Sequence, residues 1–157
     1  MSQPSTAQHA TFNIERVYAA TPARVFHAWA DPVTKAARFT GPDEWQTATR
    51  EADFRVGGGE RVVVGPPGGT QHRFDCRYHD IVTNERIVYC YDMHLDDRRI
   101  SVSLTTVEFR AEGAGTRLVF TEQAVFLDGY DDAGSREQGS RGLLEKLAAA
   151  MGGAGDA

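Results

Sequence analysis

Residues 11–32 read TFNIERVYAATPARVFHAWADP, and a change of period inside this stretch decides how the chain is built. From Thr11 to Ala19 the pattern alternates, with Phe12, Ile14 and Tyr18 on one parity and Thr11, Asn13 and Glu15 on the other, as in a half-buried strand. At Thr21-Pro22 the period lengthens. A threonine hydroxyl can cap a helix and a proline suits its first position, after which Pro22, Val25, Phe26 and Trp29 fall at i, i+3, i+4 and i+7. Asp31-Pro32 repeats the cap-and-proline signal, so the spacing predicts a second short helix to about Phe39, stopped by Gly41-Pro42.

After Trp45 the period returns to two. Turn residues punctuate it at Gly57-Gly58-Gly59, Pro66-Pro67-Gly68-Gly69, Thr83-Asn84, Asp96-Asp97 and Gly113-Ala114-Gly115, which implies six consecutive hairpin-linked strands. The clearest inward sets are Phe74, Cys76 and Tyr78; Ile87, Tyr89, Tyr91 and Met93; Ile100, Val102 and Leu104; and Leu118, Phe120, Ala124 and Phe126. In the third set the apolar parity switches to Val107 and Phe109, which predicts a β-bulge at Thr105-Thr106. A final helix runs from about Asp132 to Met151, capped by Asp131 or Asp132, with Gly152 at its end. Leu143, Leu147 and Met151 mark its apolar face, which turns polar at Ser140 and Arg136 toward the N-terminal end. Gly134, Gly139 and Gly142 cost this helix up to ~1 kcal/mol each relative to alanine. Either a close approach or empty space favours them, or they mark a ragged first turn.

The chain has 157 residues, 17 Lys+Arg against 22 Asp+Glu for a net charge of −5, and 41% apolar residues, the profile of one ordinary domain. We read a single domain over residues 11–152, with flexible tails at 1–10 and 153–157. Scattered basic residues in an acidic chain argue against nucleic acid and against a membrane surface. No apolar run approaches the ~20 residues that span a bilayer, and Met1–Ala10 lacks the regions of a signal peptide, so a cytoplasmic address is expected. Cys76 and Cys90 lack a C-x-x-C spacing and read as reduced core residues.

Strong catalytic and cofactor signatures such as G-x-S-x-G, H-E-x-x-H and the Walker loop are absent, and no cofactor is expected. Gly57-Gly58-Gly59 opens no helix and reads as a hairpin or bulge rather than a phosphate cradle. His72, His79 and His94 do not share one element at ligand spacing, so no metal is expected. Glu122 shares parity with Leu118, Phe120, Ala124 and Phe126 and so points to the apolar side. A carboxylate there is either a proton shuttle of raised pKa or half of a buried ion pair with Arg136 or Arg16. His94 and Tyr91 are further candidates at a cavity mouth, and Trp29 and Trp45 read as core anchors first and ligand-stacking groups second.

Strand, two short helices, six antiparallel strands and a long final helix is the order of the helix-grip fold, an α+β architecture in which a curved sheet of about seven strands wraps a C-terminal helix. Thr21-Pro22-Ala23-Arg24-Val25-Phe26-His27-Ala28-Trp29-Ala30-Asp31-Pro32 resembles the A-P-x-x-V-F-x-A-W-T-D-P opening of the START-like (SRPBCC) superfamily. Asp53-Phe54-Arg55-Val56-Gly57-Gly58 resembles the D-x-R-x-G-G signature of the branch named for the C-terminal domain of the activator of the heat-shock protein 90 ATPase. Asn84-Glu85-Arg86-Ile87-Val88-Tyr89 is similar to its P-x-R-I-V-Y strand, and Gly115-Thr116-Arg117-Leu118 to its G-T-x-L hairpin exit. The likeness spans about Phe12 to Met151.

The resemblance implies an apolar cavity between sheet and helix that takes a small hydrophobic or aromatic ligand. Its expected lining is Phe39, Phe74, Tyr78, Tyr89, Tyr91 and Phe120, with Leu143 and Leu147 from the final helix. Arg136 is expected to anchor a polar or anionic end and Ser140 to donate a hydrogen bond. The family's final helix usually carries a histidine and then Gly-Trp where this chain has Gly139, Gly142 and Leu143, which implies an enlarged or reshaped cavity. A second reading is an enzyme of cyclase, dehydratase or hydrolase type in which Glu122, His94 or Tyr91 moves protons. A third is a module that interacts with a chaperone. Relatives often pair, so a homodimer is one expected state.

Overall fold

A computed structural model describes residues 5–31 and 45–151, save the side chains of Ala48 and Ala150. The expected second helix, Phe39 and the chain ends from 152 lie outside the described residues. The elements are β1 (Ala7–Tyr18), α1 (Pro22–Ala30), β2 (Gln46–Ala52), β3 (Gly59–Gly65), β4 (His72–Val82), β5 (Arg86–Leu95), β6 (Arg98–Glu112), β7 (Gly115–Leu127) and α2 (Ala133–Ala150). Every strand pair is antiparallel, and the sheet order is β1-β7-β6-β5-β4-β3-β2. The six consecutive hairpin-linked strands are therefore β2 to β7, and β1 returns to lie beside the last of them.

Local chemistry accounts for the punctuation. Thr21 caps α1 by accepting from the Arg24 amide at 3.3 Å, with Pro22 opening the helix. The tight turns place Asn84, Asp96 and Gly113 in the left-handed region, at φ 65°, 52° and 57°. The signature loop 53–58 closes on itself. Gly57 has φ 86° and donates to the Tyr78 carbonyl, Arg55 pairs with Asp53 at 2.7 Å, and a Cβ on Gly59 would collide with the Cys76 carbonyl oxygen. This glycine run is a loop closure against β4, as its failure to open a helix implies.

Two boundaries depart from the sequence reading. β1 starts at Ala7, so residues 7–10, expected in a tail, pair with Ala124–Leu127 of β7. Backbone ladder bonds do not require apolar side chains there. In β6 the irregularity falls at Ile100, where Met93 faces Ser101 while His94 faces Arg99, and not at Thr105-Thr106. The strand then runs in unbroken register against β7 from Ser101 to Glu112. Ser101, Ser103, Thr105, Val107 and Phe109 consequently point inward, and Val102 and Leu104 lie outside at 39% and 36% exposure. The apolar parity of Val102 and Leu104 misdirects the reading because the inward side of this strand meets a polar cluster.

The core lies between the sheet and the two helices, with Ile14, Tyr18, Val25, Ile87, Val107, Leu118 and Leu147 buried in it. The last turns of α2 are clasped there: the Tyr18 hydroxyl donates to the Leu144 carbonyl at 3.1 Å, Arg24 to the Met151 carbonyl at 3.1 Å, and Arg16 pairs with Glu145. Leu144 is buried in the core beside Leu147, while Leu143 is half-buried. Cys76 and Cys90, both half-buried, are not joined in a disulfide.

Candidate functional site

The inner face of the sheet and α2 do not meet along their whole length. Between them lies a cavity of about 660 Å³. Alternation along β4 and β5 delivers Phe74, Tyr89 and Tyr91 to one wall, where Phe74 stands 4.8 Å from Tyr91 and 6.4 Å from Tyr89, centroid to centroid. Phe120 of β7 and Trp29 of α1, 6.4 Å apart, extend the aromatic surface. Gly139, Gly142, Leu143 and Lys146 form the helical wall. A Cβ on Gly139 or Gly142 would meet nothing within 4 Å, so these two glycines border open space. A shallower depression of about 350 Å³ over β1 and β7, beside Thr11 and Gln123, contains no buried ionisable group among the described residues.

One end of the cavity is polar. Asp132 caps α2 by accepting from the Ser135 amide at 2.9 Å, and this fixes Arg136 in the first turns, facing the sheet. Arg136 Nη1 donates to the Tyr91 hydroxyl at 2.9 Å and lies 3.6 Å from Glu122 Oε2, while Nη2 donates to Ser101 Oγ at 2.8 Å and to Asp131 Oδ2 at 2.9 Å. The Tyr91 hydroxyl in turn donates to Glu122 Oε2 at 2.8 Å, and Thr105 donates to Oε1 at 3.3 Å. Glu122 is 1% exposed, and the guanidinium stands over the Phe126 ring at 5.3 Å.

Burial pushes the Glu122 carboxyl above its ordinary value, and the Tyr91 hydrogen bond and the Arg136 charge oppose that rise. Burial, with the Glu122 charge adding to it, pushes the Tyr91 phenol up as well. Burial works against the Arg136 charge, but Tyr91, Glu122 and Asp131 outweigh it and hold the guanidinium protonated. The cluster therefore has the raised carboxyl expected of a proton shuttle and the ion pair expected of a structural contact. Arg136 is the partner, since Arg16 is engaged with Glu145. The guanidinium expected to anchor an anionic ligand is already turned onto protein acceptors.

Of the candidates read from sequence, Phe74, Tyr89, Tyr91, Phe120, Glu122, Arg136, Ser140 and Leu143 line this one cavity. Tyr78 does not line it. Its ring packs edge-on against Phe54 at 4.9 Å and its hydroxyl donates to Glu60 at 3.1 Å. Leu147 is fully buried in the core beneath α2. His94 turns to the outer face of the sheet among Arg73, Asp92 and Arg99, where burial, then Arg73, lowers its pKa. Sequence reasoning missed Glu60, a cavity-lining carboxylate 6% exposed and 3.6 Å from Arg50. The signal was present, since Glu60 shares parity with Val62 and Val64 as Glu122 does with Phe120 and Ala124. It also missed His72, whose ring lies 4.6 Å from that of Trp45 at the cavity edge. Among the described residues no three His, Cys, Asp or Glu side chains converge as metal ligands, and no helix is long and apolar enough to cross a membrane.

A curved antiparallel sheet folded over a long final helix, with a cavity between them, defines a helix-grip protein of the SRPBCC type. The chain belongs to the family described as Activator of Hsp90 ATPase homolog 1-like protein, which matches residues 19–152. An uncharacterised protein of Rhizobium leguminosarum is 49% identical, with a TM-score of 0.90, 95% of this chain and 98% of that one being covered. A protein of Rhizobium loti is 48% identical with a TM-score of 0.85, covering 92% and 99%. One from Chromobacterium violaceum is 28% identical with a TM-score of 0.74, covering 88% and 94%. No curated protein matches the chain.

Proposed function

We propose that this protein binds an apolar or aromatic small molecule in the cavity between the sheet and α2. The observation that carries the reading is the cavity itself, about 660 Å³ with a wall of contiguous aromatic rings and a few convergent polar groups. Small-molecule sites are of about 300–1,000 Å³, mostly apolar, with a few convergent polar groups. A melting-temperature screen against lipids, aromatic acids and polyketide-like compounds tests it. A ligand at a hundred times its dissociation constant adds about 2.7 kcal/mol, or roughly 5–10 °C for a domain of this size. A flat screen across all three classes would count against the reading.

A second reading is favoured by one specific feature, the buried Glu122 carboxyl of raised pKa held by Tyr91 at the cavity wall. That is the equipment of a general acid or base acting on the bound molecule. Glu122→Gln separates the two readings. An acid–base enzyme loses about 10²–10⁴-fold in turnover, whereas a binding protein keeps its ligand with a modest change in affinity.

A further inference from the structure

We propose that the cavity selects a neutral aromatic molecule with a hydroxyl that donates to Glu122, and discriminates against the corresponding carboxylate; this rests on the binding reading above. Arg136 faces two acids, Asp131 at 2.9 Å and Glu122 at 3.6 Å. Whether Glu122 is ionised or protonated, these three groups together carry a charge of minus one or zero and never a positive one. A ligand carboxylate placed there would add a third acid to one guanidinium, in a buried setting where an unmatched charge is costly.

Hydrogen-bond inventory points the same way. Both amino groups of the guanidinium are directed at protein acceptors, and the single Tyr91 O–H is given to Glu122. An ionised carboxylate offers about four lone-pair sites. Glu122 receives Tyr91 on one oxygen and Thr105 on the other, with Ser103 beside it, so a carboxylate acceptor stands at this end while the Arg136 and Tyr91 donors are directed at protein groups. Glu60 presents a second buried carboxylate to the same cavity, with Arg50 beside it at 3.6 Å and the Tyr78 hydroxyl donating to its Oε2 at 3.1 Å. The complement of aromatic walls and acceptor ends is a flat ring system bearing hydroxyl donors. Among the described residues of the lining, Lys146 is a second basic side chain, ten residues from Arg136 and thus roughly 15 Å further along α2.

The test is a calorimetric titration of 2-naphthol, 2-naphthoate and naphthalene, at neutral pH, into the wild-type protein and Glu122→Gln, with circular dichroism confirming that both are folded. The expected result is 2-naphthol binding at least about tenfold more tightly than 2-naphthoate, with the ratio shrinking in Glu122→Gln because the amide cannot carry the negative charge that disfavours the naphthoate. Naphthoate binding as tightly as naphthol would overturn the inference, and its loss in Lys146→Gln would assign the anion to Lys146. Naphthalene matching naphthol would overturn the hydroxyl preference and leave the binding reading standing. Silence from all three probes would overturn both.

Discussion

Arg136 ties α2 to β5, β6 and the segment before the helix through Tyr91, Ser101 and Asp131, and its charge answers two carboxylates. Arg136→Met leaves both uncompensated. Removing one partner of a buried pair costs about 3–5 kcal/mol, so urea denaturation of this variant should show a loss of that size and roughly a 10 °C fall in melting temperature. Glu122→Gln has a pH signature. The folded-state pKa of Glu122 lies above its ordinary value of 4.5, so its contribution to stability declines as pH rises through and above that value. The melting temperature of Glu122→Gln relative to wild type should therefore rise between acidic and neutral pH and level off below the ordinary value. A flat difference would show that the carboxyl is not perturbed. The parity of Glu122 with Phe120 and Ala124 made its inward direction legible from sequence, and Arg136 one of two partners. The choice between Arg136 and Arg16 was not legible, because it depends on which end of α2 packs over β1.

Helix α2 has one flank in the core and another along the cavity, and its glycines divide accordingly. Gly139 and Gly142 border open space, while a Cβ on Gly134 would stand 3.3 Å from Oδ1 of the capping Asp132. Gly139→Ala and Gly142→Ala should each stabilise the protein by up to about 1 kcal/mol through helix propensity alone, read as about 2–4 °C by thermal melting. A destabilising alanine at either position would mean that the helix lies closer to the sheet than described. Most elements were legible because turn chemistry and periodicity agreed: Thr21-Pro22 opens α1, Asp132 opens α2, and Asn84, Asp96 and Gly113 sit in the turns. β6 was the exception. Val102 and Leu104 face outward, and the bulge that reverses the reading falls at Ile100, so a one-residue shift carried Ser101, Ser103 and Thr105 inward against the apolar pattern.

The curvature of the seven-stranded sheet decides what no single strand reveals, namely which inward residues meet α2 and which meet empty space. Tyr78 shares the strand parity of Phe74, and Leu147 the helix face of Leu143, yet both sit in the packed part of the interior, whereas Glu60 and His72 reach the cavity. Parity alone separates inside from outside; it does not separate core from cavity. Leu143, half-buried on the cavity flank of α2, tests whether this space takes an apolar guest, with little expected effect on the core. The measurement is a fluorescence titration of the neutral probe N-phenyl-1-naphthylamine into wild type and Leu143→Arg, with melting curves recorded for both. Wild type should show a saturable rise in emission, and Leu143→Arg should lose it at nearly unchanged melting temperature. Equal saturable binding by the folded variant, or no binding by wild type, would contradict it.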